Sequence, residues 1–394
     1  MTTIWNLFMI ALAVPATAIS LYLLLLTLLS RAPSGILRSS QRMCFDVIVP
    51  AHDEAAQIEG VVASLRKLRW PADGFRVLVV ADNCSDSTAL LAAAAGAQVL
   101  ERHDADRRGK GYALAFAFRA SQAQGWADAV VVVDADTEVS TNLLEAFAVR
   151  IENGANAVQA HYAVLNSHAS WRTRLMTIAL ASFHRVRSRA RERLGLSCGI
   201  RGNGWCVTHR VLGQVPYLAF SRTEDLEYGI DLGLAGHRVE YADEAHVAAM
   251  MVAGEQAART QRQRWEGGRM QLVRSKTLSL LQAATGQGDR VCLDLAIDLL
   301  VLPLSYVALN VLALIVLASI GLLWDPSMTR WVLLGFACAA AVFIYVLRGW
   351  QLSGVGVRGL LDLGRAPFYV LWKLVQMVRP HDVVEWVRTK RERS

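Results

Sequence analysis

Two aspartates that follow a run of four valines are the residues best placed for chemistry. Val130–Val133 predicts a strand buried on both faces, and Asp134 and Asp136 come directly after it. Alternate residues of an extended chain point the same way, so both carboxylates can reach one hard cation. Ligands of open α/β sheets bind at this carboxyl end. The pattern predicts a divalent cation that holds a diphosphate, although a solvated acidic turn would have the same sequence.

Further candidate residues follow two other predicted strands. Pro50, Asp53 and Glu54 lie where the first strand meets a loop, and Asp82 ends the second strand. The Asp82 carboxylate can accept hydrogen bonds from a base or ribose, or it can cap the next helix; the residues alone do not separate the two. These positions predict contacts with a nucleotide at the same edge of the sheet.

Two predicted helices begin with charged residues. Lys110 stands between two glycines before a helix, where free N–H groups and a lysine suit phosphate. Glu224 and Asp225 open another helix, where the dipole favours negative charge in any case. Each signal has a structural explanation as well as a catalytic one.

A glutamine, an arginine and a tryptophan precede the second apolar segment. Arg264 suits a diphosphate through paired N–H bonds, the ring of Trp265 suits a sugar face, and Gln261 precedes both. His246 is either a further ligand of the metal or phosphate, or an ordinary surface or core histidine.

Short β-rich runs alternate with helical runs between residues 45 and 241, which predicts right-handed βαβ units and a mainly parallel sheet. The predicted strands are Phe45–Val49, Arg76–Ala81, Gln98–Arg102, Val130–Val133 and Ala157–Val164. The predicted helices are Glu54–Leu68, residues 85–95, Tyr112–Gln124 and Trp171–Arg193. The last is rich in arginine, which indicates either a solvated face or contact with lipid headgroups or an anionic acceptor.

The hydrophobic content of 54% collects at the two ends of the chain. Ile4–Leu29 is long enough to span a bilayer, and an uncleaved anchor (1–30) is favoured over a signal peptide because no basic region precedes it. Ala296–Trp324 and Trp331–Leu347, joined by six residues, predict a membrane hairpin (296–347). Pro367–Val378 is too short to span and predicts an interfacial helix in a basic tail (348–394).

The charge and cysteine patterns limit partners and compartment. A net charge of +7 without zinc-ligand spacing or a recognition motif does not indicate nucleic acid. Arginines directly after the anchor predict that the middle domain (45–280) and the tail are cytoplasmic, at the inner (plasma) membrane. Six cysteines without a CxxC pair suit a reducing compartment.

The candidate motifs occur in a fixed order along the chain. Together they resemble the Asp, Asp-x-Asp, Thr-Glu-Asp and Gln-x-x-Arg-Trp motifs of the membrane-bound branch of family 2 glycosyltransferases, which includes cellulose, chitin and hyaluronan synthases. The resemblance covers residues 45–279 and the membrane flanks. The matching residues are Asp82, Asp134, Asp136, Glu224, Asp225, Gln261, Arg264 and Trp265.

The resemblance implies a GT-A fold, a UDP-sugar donor and a Mg²⁺ or Mn²⁺ cofactor held by Asp136 with Asp134. Donor-binding residues would be Pro50, Asp53, Glu54, Asp82, Lys110, Asp134, Gln261 and Arg264. Acceptor-binding residues would be Gly202, Asn203, Gly204, Trp205 and Trp265.

Displacement of a diphosphate from an anomeric carbon needs a base on the opposite face, and Asp225 with its neighbour Glu224 is the choice. A single displacement would invert the donor linkage to β. The acceptor is a polysaccharide or a lipid-linked group, and three spans are fewer than polymer exporters carry. A ceramide- or hopanoid-type glycolipid synthase and a non-catalytic nucleotide-sugar sensor or assembly subunit therefore stay open, as do a homo-oligomer or an export partner.

Overall fold

The computed structural model describes residues 2–33, 38–251 and 255–367, with backbone alone at residues 2–4, 255–260, 262 and 287. One mixed sheet lies at its centre. Its strands are β1 (Phe45–Ala51), β2 (Phe75–Asp82), β3 (Gln98–Arg102), β4 (Ala129–Val132), β5 (Thr137–Val139), β6 (Ala157–Val164), β7 (Trp205–Thr208) and β8 (Val239–Ala249). In space they run in the order β3-β2-β1-β4-β7-β6-β8-β5.

The first half of this sheet is parallel, as the alternating pattern predicts. β1 pairs in parallel with β2 and β4, and β2 pairs in parallel with β3. The second half departs from the prediction, because β7 runs antiparallel to both β4 and β6, and β5 runs antiparallel to β8. The carboxyl ends of β1, β2 and β4 therefore share one edge, while β7 brings the chain back along β4 from a loop at that edge.

The valine strand is buried on both faces. Val131 and Val133 belong to one hydrophobic cluster, and Val130 and Val132 belong to the cluster on the opposite face. All four are 0% exposed. Burial of four branched side chains at ~1.5–3 kcal/mol each gives β4 little freedom to shift its register, and this fixes where the following aspartates emerge.

Helices cover both faces of the sheet and form the two ends of the chain. Those packed around the sheet are α2 (Ile58–Leu65), α3 (Thr88–Ala94), α4 (Lys110–Gln124), α5 (Leu143–Glu152), α6 (Trp171–Ala181), α7 (Arg187–Arg193), α8 (His209–Gln214) and α9 (Glu224–Leu234). Those at the ends are α1 (Thr2–Leu29), α10 (Glu255–Gln287), α11 (Arg290–Leu300), α12 (Leu304–Gly321), α13 (Thr329–Ser353) and α14 (Gly356–Leu363). A π-helical turn, Ser182–Val186, joins α6 to α7 within the single helix predicted there.

Among the described residues, three helical segments are long and apolar enough to cross a membrane: Trp5–Leu29, Leu304–Gly321 and Pro326–Ser353. They pack on one another through small and apolar side chains of α1, α12 and α13. Asn6, at the start of α1, bonds to Trp331 at the start of α13, while Ser30 bonds to Arg348 near the end of α13. The chain start and the α12–α13 loop therefore lie at one end of the bundle, and the domain that contains the sheet lies at the other.

Two sequence expectations at this end need correction. The second apolar helix begins at Leu304 rather than Ala296, because the chain bends at Pro303 and α11 forms a separate helix that contacts α9 and α10. Three of the four arginines of α7 do not form a solvated face: Arg187, Arg189 and Arg191 are 4%, 7% and 0% exposed, whereas Arg193 is exposed. The predicted interfacial helix, residues 367–378, and most of the basic tail lie outside the described residues.

Candidate active site

Lys110 connects three distant parts of the chain at the sheet edge. Its Nζ lies 2.5 Å from Oδ1 of Asp134 and 3.8 Å from Oε1 of Glu224. The same Nζ donates to the carbonyl oxygen of Gly202 at 2.7 Å. Gly109, with φ +120°, allows the turn that places this lysine at the start of α4. One cation thus holds together the end of β4, the start of α9 and the loop before β7.

Glu224 and Asp225 open α9 in a partly buried position. Burial raises the pKa of Glu224 to about 7, since the Asp225 and Asp134 charges add to it and Lys110 opposes it only in part. The pKa of Asp225 is also raised, first by burial, with Lys110 again opposing. Burial acts to lower the pKa of Lys110, but the surrounding carboxylates outweigh it and raise that pKa above its usual value. The result is a compact acid cluster in which Lys110 is a shared counterion.

The loop after β4 is held by a buried asparagine. The Asn203 side-chain oxygen accepts the Asp134 N–H at 3.0 Å, and its amide nitrogen donates to Thr137 at 2.7 Å. Asn203 is 0% exposed. It therefore holds the Asp134 N–H and the Thr137 hydroxyl, on either side of Asp136. Asn203 does not line the cavity, so it supports the carboxylates from behind.

Helix α10 brings the Gln-Arg-Trp cluster against the acid cluster. A Cβ on Gly268 would lie 2.7 Å from Cγ2 of Thr223, the residue that precedes Glu224. Only a glycine permits this approach, since real Cβ contacts do not occur at that distance. Gln261, Arg264 and Trp265, on the preceding turns of α10, line the same cavity as Glu224.

These groups surround a cavity of about 570 Å³ between the sheet edge and the apolar helices α12 and α13. One wall carries the polar groups described above. The other consists of apolar side chains and buried arginines from the α6–α7 region, α10 and the start of α12. Residues of that second wall include Leu180, Phe183, Arg187, Arg201, Arg269, Val301, Leu302, Leu304 and Tyr345.

Several predicted nucleotide contacts lie outside the lining of this cavity. The Asp82 carboxylate is 2.5 Å from Nη1 of Arg102 in a buried ion pair, so it is already neutralised. Asp53, at φ +52°, accepts the Ser85 N–H at 2.7 Å. Pro50 lies within β1, and the Glu54 backbone N–H donates to Thr88 at 2.8 Å. These residues shape neighbouring loops at the edge, and their contact with a donor stays a prediction.

One predicted acceptor contact needs correction, because the structure places Trp205 in the core. Its side chain is 1% exposed and packs against Phe118, Tyr217 and Tyr228. Gly204 is also structural: a Cβ there would lie 2.5 Å from Val247. Of the loop predicted to meet the acceptor, only Gly202 lines the cavity.

His246 lies away from the cavity, exposed on β8 beside Ser140, so the structure gives it no part in a metal site. The residues that sequence reasoning missed are the cavity arginines, Arg201 and Arg269. Each stands next to a motif, before Gly202 and after Trp265, but a lone arginine carries no spacing signal. Only the fold shows that both face the cavity.

Comparison with known proteins agrees with this geometry. The model of the glycosyltransferase-like family 2 matches residues 42–268, which is more than half of the chain. The chain therefore belongs to glycosyltransferase family 2. Glycosyltransferase AglD of Haloferax volcanii is 35% identical over 114 residues, which are 27% of this chain and 18% of AglD. The match spans less than a fifth of that relative.

A solved structure agrees with the predicted fold class. The mannosyltransferase PcManGT of Pyrobaculum calidifontis, in complex with GDP-Man and Mn²⁺, has a TM-score of 0.52 at 17% identity and covers 88% of this chain and 98% of its own. The S. aureus TarS 1–349 complex with UDP-GlcNAc has a TM-score of 0.46 at 16% identity, over 78% and 90% of the two chains. The predicted GT-A type α/β domain with apolar helices at both ends is confirmed; the cellulose and chitin synthase branch stays a prediction.

Proposed function

We propose that this chain is an inverting glycosyltransferase that moves a sugar from a UDP-sugar to a lipid-linked or polysaccharide acceptor at the cytoplasmic face of the plasma membrane. The observation that carries the proposal is the position of Lys110, which contacts Asp134 and Glu224 in one cavity with Asp136, Asp225 and Arg264. Residues more than 150 positions apart meet there in the arrangement that displacement of a diphosphate requires.

The donor diphosphate would lie between the end of β4 and the start of α4. Asp134 and Asp136 supply hard oxygen ligands on one short segment and fit Mg²⁺ or Mn²⁺, which when bound neutralises charge on the departing diphosphate. Lys110 and Arg264 line the same space and add fixed positive charge. In this role Lys110 would exchange part of its contact with Asp134 for phosphate.

Asp225 is proposed as the base for the acceptor hydroxyl. Its carboxylate faces the Gly202 loop, with Oδ2 3.5 Å from the position a Cβ would take there. A raised pKa brings a carboxylate closer to the pH at which a base works best. The acceptor oxygen would form its bond to the anomeric carbon as the bond to the diphosphate breaks, and Asp225 would take the proton.

The membrane placement rests on the three apolar helices and on charge. The ends of these helices nearest the catalytic domain carry Arg31, Arg38, Arg42 and Arg348, an excess typical of the cytoplasmic side. The cavity reaches Leu304 at the start of α12 and Tyr345 on α13, so an acceptor can arrive from the bilayer. This favours a lipid or a lipid-linked glycan as acceptor.

The direct test is turnover of radiolabelled nucleotide sugars by the full chain in lipid vesicles, with and without EDTA. We expect transfer or slow hydrolysis of one UDP-sugar, loss of turnover with EDTA, and recovery with Mg²⁺ or Mn²⁺. Mass spectrometry of the product separates a polymer ladder from one sugar on a lipid. Turnover of a GDP-sugar alone would contradict the donor class, and turnover unaffected by EDTA would contradict the metal.

The base assignment has a matched control on the same helix. Asp225→Asn should reduce kcat by about 10²–10⁴-fold, the range of a general base, with donor binding retained. Asp231, also on α9, has a raised pKa and a lysine partner but lies outside the cavity, so Asp231→Asn should keep near wild-type turnover. Unchanged turnover in Asp225→Asn would indicate a nucleotide-sugar sensor or a different base.

A further inference from the structure

The cavity wall opposite the acid cluster combines apolar side chains with buried positive charge. Leu180 and Phe183 come from the α6 end and the π-helical turn, and Leu302 directly precedes α12. Arg201 is 5% exposed, and its guanidinium carbon lies 4.3 Å from the centre of the Phe183 ring. An apolar lining at the start of a membrane helix fits a hydrocarbon chain, whereas the arginines fit an anion.

Positive charge exceeds negative charge in this wall. Arg187, Arg191 and Arg201 all pair with Asp298, at 3.0, 2.8 and 3.3 Å. Asp294 supplies a second carboxylate, at 2.8 Å from Arg191, and Glu266 lines the cavity one turn before Arg269 on α10. A fourth arginine, Arg269, lies on the same wall, so the arginines outnumber the carboxylates.

Arg269 is the fourth arginine, and it has no carboxylate partner among the described residues. It donates to the carbonyl oxygens of Asp298 and Val301. Burial, together with the nearby charges of Arg187 and Arg201, lowers the pKa of Arg269 to about 10 against the opposing effect of Asp298. Buried cations in excess of their counterions are costly unless an anion joins them.

Two buried nitrogens of residues that line the cavity add to the pattern. Nε of Arg201 and Nδ1 of His184 have no hydrogen-bond partner among the residues that the structure describes. Both residues line the cavity, and both are more than nine-tenths buried. An unpaired guanidinium N–H in an apolar wall is a strong binding group for a phosphate oxygen, since such bonds are charge-assisted.

We propose that the acceptor is a lipid whose headgroup carries a phosphate, held by Arg201 and Arg269, with its hydrocarbon chains along Leu180, Phe183 and Leu302. The assignment of this lipid as the acceptor rests on the proposed function. The binding of a lipid phosphate rests only on the contacts of the cavity wall. The donor diphosphate has separate cations, Lys110 and Arg264, beside the acid cluster. The cavity then has a donor end and an acceptor end, each with its own positive charge.

The test is lipid binding to the full chain in detergent micelles, measured by native mass spectrometry without any donor. The probes are dioleoyl phosphatidic acid and dioleoylglycerol, which differ only by the phosphate. We expect at least about tenfold tighter binding of the phosphatidic acid, the scale of one charge-assisted bond. Arg201→Gln should remove most of this preference, and Arg201→Lys should retain part of it. Inorganic phosphate at equal concentration should not compete, because it lacks the chains.

The matched control is Arg365→Gln, an arginine 59% exposed on its side chain and outside the cavity lining. It should leave the preference unchanged. Equal binding of the two lipids, or equal loss in Arg201→Gln and Arg365→Gln, would overturn the proposal in favour of general surface attraction. A raised KM for the nucleotide sugar in Arg201→Gln, with lipid preference intact, would assign the arginine to the donor instead. Preference for phosphatidic acid without any sugar transfer would support the lipid site and refute the proposed function.

Discussion

Lys110 holds the acid cluster in a state that depends on a single positive charge. Asp134, Glu224 and Asp225 all contribute to its raised pKa, and it in turn lowers the pKa of both Glu224 and Asp225. The proposed base must be deprotonated, so the rate should rise with pH through the pKa of the cluster. Because burial raises the pKa of Asp225, the rising part of the profile should lie at a higher pH than for an ordinary aspartate.

Replacing Glu224 by Gln should move the rising limb of kcat/KM to lower pH. The Glu224 charge favours the protonated form of its neighbour, so its removal makes Asp225 easier to ionise. The measurement is kcat/KM for the nucleotide sugar between pH 5 and 9 with saturating metal. If the rising limb of kcat/KM stays at the same pH while the maximal kcat/KM falls, Asp225 does not act as the base.

Replacing Lys110 by Met should move the same limb in the opposite direction, to higher pH, because the cluster loses the charge that lowers its pKa values. The matched control is Lys276→Met. Lys276 lies 2.5 Å from Asp231, as Lys110 does from Asp134, and both lysines are about one quarter exposed. Lys276 lies outside the cavity lining, and its removal should leave the limb unchanged. Equal shifts in both variants would contradict a local effect.

At the scale of elements, the site depends on how closely α10 approaches the start of α9. Gly268 is the contact point, with Thr223 as its neighbour. Adjacent Gly267 has no atoms within 4 Å of an added Cβ. These two neighbouring glycines of α10 thus differ in whether an added Cβ would meet another atom.

We expect Gly268→Ala to reduce kcat/KM by one to two orders of magnitude, because displacement of Arg264 and Trp265 from the acid cluster by a fraction of an ångström weakens alignment. Gly267→Ala should keep or slightly raise stability, since alanine favours the helix by ~1 kcal/mol. The measurements are sugar turnover and thermal unfolding of both variants. Wild-type turnover in Gly268→Ala would mean that α10 and α9 need not stay in contact.

Elements with a local pattern could be predicted from the sequence, whereas those that depend on distant partners could not. The strands that end at Ala51, Asp82 and Val132 could be predicted because short β-rich runs alternate with helical runs. Their shared edge follows from parallel pairing. The return of β7 alongside β4 has no such signal, because this antiparallel pairing joins residues far apart in the chain. The Trp205 assignment failed for the same reason: its partners Tyr217 and Tyr228 are known only from the fold.

The site shows the same division. Lys110 and the paired acids could be predicted because each ends or begins a predicted element. For the arginines of α7 the sequence leaves open a solvated face or contact with lipid headgroups or an anionic acceptor. It cannot show that Asp298, the partner of Arg187 and Arg191, lies more than 100 residues away, just before an apolar helix. Sequence spacing cannot show that a charge at a membrane boundary is the counterion of a helix in the catalytic domain.

At the scale of the whole molecule, a buried polar network connects the glycosyltransferase domain to the apolar helices at the two ends of the chain. Arg191 donates to Tyr22 of α1 at 2.6 Å, and Arg187 donates to Tyr345 of α13 at 2.9 Å. Both arginines also pair with Asp298 of α11. A helix of the catalytic domain is therefore fixed to two membrane helices and to the helix before a third.

Asp298→Asn should destabilise the protein strongly, because three buried guanidinium groups lose a counterion; removal of one partner from such a pair costs ~3–5 kcal/mol. The expected result is a fall of several degrees or more in the apparent melting temperature. The measurement is tryptophan fluorescence of the protein in detergent during heating. Asp73→Asn, in an exposed turn, is the control and should melt like wild type. A wild-type melting curve for Asp298→Asn would show that the network does not contribute to folding.

The contact between Gly349 and the π-helical turn extends this connection to the lipid itself. A Cβ at Gly349 would overlap Oγ of Ser182, so α13 lies directly against the turn that carries Phe183 into the cavity. A spanning helix adjusts its tilt when hydrocarbon thickness changes. Membranes built from shorter or longer acyl chains should therefore alter the width of the acceptor end, and the thickness of its host bilayer would become a regulator of this enzyme.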